Sequence, residues 1–192
     1  MKKTILLALY TCFAMTANAQ TGQKKWNYFA DASFGFIPAS EGFTGTSSLS
    51  IGATYQRQYG LGLALASVRN DLSYANGVGL EFRLADARWL LLKAQIGIIR
   101  GASSADNGTY AREFTYLPGE SKPFYWRGTA GLRFLRILFV GISTMQTGSL
   151  TFRDDNPPFP GGILKGNHII KAFTWQLGLS FPALPKRKKQ KE

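Results

Sequence analysis

The sequence predicts an all-β chain that folds as a closed eight-stranded antiparallel up-and-down transmembrane β-barrel. Large apolar residues alternate with very small or polar ones at every second position, eight segments repeat this pattern, and the connections between them alternate in length. The stretch YGLGLALASV, residues 59–68, is the clearest example. It places tyrosine and leucine on one face of a strand and glycine and alanine on the other, because successive side chains of a strand point to opposite faces.

The same alternation recurs along the chain. The predicted strands are residues 26–37, 47–56, 59–68, 74–84, 88–99, 124–134, 137–145 and 172–181. Short turns are expected after the second, fourth and sixth strands, and longer loops after the others, at residues 38–46, 69–73, 101–122 and 147–167. This rhythm is typical of an up-and-down barrel with tight turns at one end and loops at the other. Both chain ends then lie at the short-turn end.

The bulky face is predicted to be the outer one. A soluble barrel, the alternative, would bury the bulky residues and present water with glycine, alanine and serine and scarcely a charge, which is a poor soluble surface. In a membrane barrel the bulky residues meet lipid, and the small ones suit the limited space inside eight strands. Aromatic residues fall near strand ends, where membrane-interface aromatics belong. They are Trp26, Tyr55, Tyr59, Tyr74, Trp89, Trp126 and Phe181.

Residues 1–19 have the pattern of a cleaved signal peptide. Two lysines precede an apolar run that is too short to span a bilayer, and Ala17-Asn18-Ala19 is a small-x-small cleavage site. Cys12, the single cysteine, lies inside this segment, so disulfides and thiolate metal sites are not expected in the mature chain. The barrel is predicted to occupy residues 20–182, followed by a disordered basic tail at 183–192.

The charge balance favours an anionic partner. The chain carries 23 basic and 11 acidic residues and a net charge of +12. An exported chain rarely meets nucleic acid, so outer-membrane lipid or lipopolysaccharide phosphate is the expected partner. Cations on or beside the two largest predicted loops are candidate contacts for such lipid, with a solvated loop surface as the alternative. They are Arg100, Arg112, Lys122, Arg153 and Lys165.

A second set of charged residues falls on the face predicted to line the lumen. These residues are Asp31, Glu81, Arg83, Lys93, Arg127 and Arg133. Lone charges in a narrow interior are costly and must pair. We therefore expect one internal ion-pair network that fills the barrel and blocks free conduction. The alternative is a polar path for a small solute.

Signs of catalysis are weak. His168 is the only histidine, and Ser149, Asp154 and Asp155 precede it on a predicted loop, so the set could in principle act on a lipid acyl ester. The favoured interpretation is a rim histidine hydrogen-bonded to a loop. The sequence contains no phosphate-binding glycine loop and no spacing of histidine and carboxylate typical of a metal site. Catalytic residues, cofactors and metals are therefore not predicted.

With these features the chain resembles the small outer-membrane β-barrel proteins of Gram-negative bacteria, over nearly all of residues 24–182. It departs from many of them at its end, where LGLSF is followed by PALPKRKKQKE, so that Phe181 would be an internal signal for assembly. The resemblance implies a monomeric, non-enzymatic integral outer-membrane protein whose external loops contact surface lipid or a partner. The alternatives are a lipid A-modifying acyl-ester enzyme with His168 at its rim, and a membrane component of a secretion or motility assembly.

Overall fold

A computed structural model gives the fold of the chain. It describes residues 26–39, 42–55, 58–70, 73–87, 89–106, 112–134, 137–154 and 163–182. The predicted signal peptide and the predicted basic tail lie outside the described residues. No helix among the residues described is long and apolar enough to cross a membrane.

Strands make up most of the described chain. They are β1 (Trp26–Ala39), β2 (Gly42–Tyr55), β3 (Tyr59–Arg69), β4 (Ser73–Asp86), β5 (Leu90–Asp106), β6 (Arg112–Tyr116), β7 (Phe124–Phe134), β8 (Leu138–Thr147), β9 (Leu150–Asp154), β10 (Ile163–His168) and β11 (Lys171–Pro182). Eight of them pair in the order β1–β2–β3–β4–β5–β7–β8–β11, and β11 pairs with β1 to close the ring. Every pairing is antiparallel. The prediction of an all-β, closed, eight-stranded up-and-down barrel is confirmed.

The prediction of a long loop at residues 38–46 is wrong. Strands β1 and β2 stay in register from Trp26↔Tyr55 to Ala39↔Gly42, so only residues 40–41 separate them rather than 38–46. Phenylalanine and threonine in the segment FTGTSS favour strand, and the backbone groups of β1 need partners there. The connection between β3 and β4, which was the second predicted long loop, is also tight, because the Ser73 amide donates to the Asn70 side chain at 2.8 Å.

The two largest predicted loops contain strands that the sequence pattern did not indicate. Strand β6 pairs with the far end of β5, β9 pairs with β6, and β10 pairs with β9. These three short strands form an extension of the barrel wall at the long-loop end, which we call the β6–β9–β10 extension. A 3₁₀ turn at Pro118–Glu120 lies between β6 and β7.

The barrel wall has an apolar outer face and a small-residue inner face. On β3, Leu61, Leu63 and Leu65 are 55%, 62% and 58% exposed, whereas Ala64 and Ala66 are 2% and 4% exposed. The same division holds around the ring: aromatic and aliphatic side chains on all eight barrel strands are exposed. The bulky residues therefore point away from the lumen, as the sequence predicts.

Inward glycines make room for a few large aromatic rings. A Cβ at Gly52 would lie 2.6 Å from Phe29 Cζ, and one at Gly62 would lie 2.8 Å from the same atom. Gly52 is the register partner of both Phe29 and Gly62, so one ring covers two neighbouring glycines. Tyr125 covers Gly77 and Gly97 in the same way. The glycines thus mark places where a ring approaches the backbone closely.

We predict that Gly97→Ala destabilises the barrel and that Gly128→Ala does not. A Cβ at Gly97 would lie 2.6 Å from both Tyr125 Cε1 and Gly79 Cα, whereas one at Gly128 would meet only Thr144 Cγ2, at 3.7 Å. Overpacking of this kind costs about 1–3 kcal/mol. Equilibrium urea unfolding of the purified, folded variants measures the difference. Equal free energies of unfolding for the two variants would contradict the ring-over-glycine packing.

Candidate functional site

The part of the lumen toward the short-turn end contains a buried ion-pair network centred on Arg83. Its guanidinium donates through Nη2 to Asp31 Oδ2, through Nη1 to Asp86 Oδ2 at 2.7 Å, and through Nε to Glu81 Oε1 at 3.3 Å. Its carbon Cζ also stands 3.4 Å from the centroid of the Phe29 ring. Arg83 therefore has charged partners along its edges and an aromatic face against its plane.

Lys93 and Arg133 complete the network. Lys93 Nζ lies 3.2 Å from Asp31 Oδ2 and 3.4 Å from Glu81 Oε2. Arg133 Nη2 lies 2.6 Å from Asp86 Oδ1 and donates to Ser180 Oγ at 3.0 Å. The network spans the lumen, because Asp31 belongs to β1 while its two cationic partners belong to β4 and β5.

Charge is balanced within the network. Three carboxylates (Asp31, Glu81 and Asp86) face three cations (Arg83, Lys93 and Arg133), and all six side chains are buried or nearly so. This balance stabilises the buried charges, because burying one unpaired ion in a low-dielectric interior costs on the order of several kcal/mol of folding free energy. The described network carries no net charge with which to attract a small ion.

Sequence reasoning missed Asp86 because it placed residues 85–87 in a turn. The structure extends β4 through Asp86, and the β4–β5 register shifts between Arg83 and Ala85. This irregularity buries Ala85 and Asp86 consecutively, against the strict alternation of the strand. The excess of cations over acids among the lumen residues was the available signal for a further carboxylate.

Arg127 lies apart from this network, in a layer of neutral polar side chains. Its Nε donates to Ser143 Oγ at 2.8 Å, and its Nη2 donates to Gln176 Oε1 at 2.9 Å and to Ser33 Oγ at 3.4 Å. Gln176 in turn donates to Thr46 and Thr174, both at 2.7 Å. Within the described part of the chain, no carboxylate lies within salt-bridge distance of Arg127. Five of the six predicted lumen charges therefore join Asp86 in one network, and Arg127 forms a separate site.

The long-loop end of the lumen is filled by an apolar cluster, which we call the apolar plug. Its buried members come from the barrel strands and from the β6–β9–β10 extension. They are Ala66, Val68, Ala75, Ile99, Tyr116, Tyr125, Met145, Leu150, Phe152, Ile170 and Ala172. Burial raises the pKa of the Tyr116 phenol above its usual value.

The ring of His168 contacts the apolar plug. It packs edge to face against Phe152, with ring centroids 5.5 Å apart, and Phe152 packs in the same way against Tyr116 at 6.5 Å. The Asp154 side chain and the whole of Asp155 lie outside the described residues. The contact that the structure gives His168 is thus a packing contact with an aromatic ring.

The five predicted lipid-contact cations are spread over different elements. Arg100 is exposed on β5, Lys122 is exposed just before β7, and Arg153 is exposed on β9. Arg112 belongs to β6 and Lys165 to β10, and the side chains of both lie outside the described residues. The three described cations thus belong to three different segments, although Lys122 lies next to the end of β5 that carries Arg100, because the Ile99 amide donates to the Pro123 carbonyl.

These features define a class: a closed eight-stranded up-and-down barrel whose interior is occupied by an ion-pair network, a neutral polar layer and an apolar plug. No cluster of three or more histidine, cysteine, aspartate or glutamate side chains that could hold a metal ion occurs among the residues described. Comparisons of the chain with protein-family models, curated proteins and solved structures found no match.

We predict that Arg83→Gln costs more stability than Arg127→Gln, although both arginines are fully buried. The first substitution leaves three buried carboxylates with two cations, a loss of about 3–5 kcal/mol for a broken buried pair. The second removes a charge whose described partners are neutral, so the cost is that of its hydrogen bonds, about 1–3 kcal/mol. Urea unfolding of both variants measures the order, and a larger loss for Arg127→Gln would contradict the proposed division of the lumen.

Proposed function

We propose that the chain is a non-enzymatic integral outer-membrane β-barrel protein of a Gram-negative envelope. The observation that carries this proposal is the outer face of the closed barrel, where large apolar side chains of all eight barrel strands are exposed. Such a continuous apolar surface is unfavourable in water and suits lipid hydrocarbon. Closure supports the proposal further, because a strand in lipid needs partners on both edges.

The position of aromatic side chains supports the same proposal. Trp26 and Tyr55 pack edge to face at the short-turn end, with ring centroids 5.3 Å apart, and Trp89 is exposed at the same end, just before β5. Tyr74 and Phe124 are exposed at the long-loop end. Two aromatic levels that flank an aliphatic belt are typical of barrels whose ends meet the two membrane interfaces.

The interior points to a role on the outer surface rather than in transport. The ion-pair network ties β1 to β4 and β5 across the lumen, and the apolar plug fills the opposite end. We infer that the β6–β9–β10 extension and the neighbouring wall, at the external end of the barrel, contact surface lipid or a partner. A short-turn end in the periplasm would place Trp26 and Pro182, the first and last described residues, on that side.

We predict that Leu63→Arg destabilises the barrel in lipid vesicles by about 2–4 kcal/mol, and Trp89→Arg by about 0–1 kcal/mol. Both side chains are exposed, but Leu63 lies near the middle of β3 and Trp89 lies next to the end of β5. Urea unfolding in vesicles measures both values. An exposed residue of a soluble barrel would tolerate either change within about 0.5 kcal/mol, so equal small effects, with recovery of the protein in a soluble fraction, would refute the membrane proposal.

We also predict that the purified barrel gives no steady current in a planar bilayer. The described lumen is crossed by three successive layers of packed side chains, and eight strands leave little space between them. A preparation checked for correct folding by its slower migration on heating in SDS gels should remain electrically silent. A large, steady open pore would contradict the inference that the interior is closed.

A further inference from the structure

A polar and cationic cluster interrupts the apolar outer wall at the long-loop end of β3, β4 and β5. It consists of Arg69, Tyr74, Asn76 and Arg100, all of which are exposed. Arg69 and Tyr74 are register partners, and Asn76 Nδ2 donates to Tyr74 Oη at 3.4 Å. Three neighbouring strands thus bring two guanidinium groups and two further hydrogen-bonding side chains to one region of the surface.

An irregularity in the β4–β5 ladder positions Arg100. Gly77 pairs with Ile99 and Asn76 pairs with Gly101, so Arg100 is an extra residue on β5 between the two pairs. A bulge of this type re-aims a side chain, here next to Asn76. Strands β3 and β5 are two strand spacings apart, about 10 Å, and Arg69 is level with Ser103 of β5, three residues along from Arg100. Both are long side chains on the outer face, so their guanidinium groups can converge on a common group over Tyr74 and Asn76.

The cluster stands at one end of an outer groove of about 860 Å³. Leu49, Leu65 and Val78 are register partners on β2, β3 and β4 and line one apolar side of the groove. Asn76 and Arg100 line its end. Its floor lies where the outward residues of successive strands are small, at Ala32, Ser47 and Ser67. The two serine hydroxyls hydrogen-bond to each other at 2.7 Å, so the floor satisfies its own polar groups and accepts an apolar occupant.

We propose that this groove and cluster bind the lipid A part of lipopolysaccharide, with an acyl chain in the groove and a phosphate between Arg69 and Arg100. The inference rests on the proposed function, which puts this wall in the outer leaflet. Guanidinium groups bind phosphate oxygens in a bidentate manner, and Tyr74 and Asn76 offer additional hydrogen bonds. Of the described cations that the sequence analysis selected, only Arg100 belongs to the cluster, and it lies on the part of the barrel wall that adjoins the β6–β9–β10 extension.

Native mass spectrometry of the full chain in detergent, with lipid A or phosphatidylglycerol added at known concentrations, tests the proposal. The wild type should retain lipid A, and Arg69→Gln/Arg100→Gln should bind it at least about tenfold more weakly, since charged hydrogen bonds are lost. The matched control Lys171→Gln removes one charge from an exposed position outside both the cluster and the β6–β9–β10 extension and should bind as the wild type does. Arg69→Gln alone and Arg100→Gln alone, which also remove one charge each, should both bind lipid A more weakly than this control. Ser67→Phe, which fills the groove without changing charge, should also weaken binding.

Three outcomes would overturn the inference: equal lipid A binding by the cluster and control variants, wild-type binding by Ser67→Phe, or phosphatidylglycerol binding as tight as that of lipid A. Slower migration of each variant after heating in SDS gels shows that it was folded. Cell fractionation distinguishes a failure of the lipid A proposal from a failure of the proposed membrane location. Wild-type protein that sits in the outer membrane but does not retain lipid A refutes this inference alone, whereas protein recovered in a soluble fraction refutes the proposed function.

Discussion

The closure of eight strands into one ring limits the width of the lumen, and the inward side chains follow from that limit. A ring this small has room for one large side chain at a given level only where the facing wall is reduced to glycine or alanine. Phe29 above Gly52 and Gly62, and Tyr125 above Gly77 and Gly97, occupy such places. Glycine and alanine therefore alternate with leucine on the strands because the narrow lumen leaves room for only small residues at most inward positions.

The same limit explains why charged residues can occupy the interior. Because the opposite walls are close, Asp31 on β1 reaches Arg83 on β4 and Lys93 on β5 directly. Asp31 thus pairs across the lumen, whereas Glu81 and Asp86 pair with cations on the same side of the barrel, and Phe29 covers the plane of Arg83. A shift of one strand by one residue would turn these side chains outward, so we infer that the network fixes strand register as well as filling space.

Sequence reasoning predicted the eight barrel strands, their antiparallel order and their inner and outer faces, because a period of two directly records which side of a wall each residue occupies. It failed for the elements in which no regular period of two is present. Strands β6, β9 and β10 have five or six residues each and pair with each other at the barrel rim, and such short segments do not show a clear alternation. Asp86 was placed in a turn because a ladder irregularity shifts it out of strict alternation, and one extra residue in a strand cannot be read from composition. Arg100 was selected from the sequence, but the sequence did not indicate the bulge that sets it beside Asn76.

The two ends of the barrel differ in a way that bears on where the protein acts. Ionic contacts close the short-turn end, whereas at the long-loop end β6 and β9 contribute Tyr116, Leu150 and Phe152 to the apolar plug. The extension is thus anchored to the barrel by burial of its own side chains, which gives its exposed surface a fixed position beside the end of β5. In the proposed orientation, a fixed external surface beside the cationic cluster on β3–β5 presents one continuous area to the outer leaflet and its lipid phosphates.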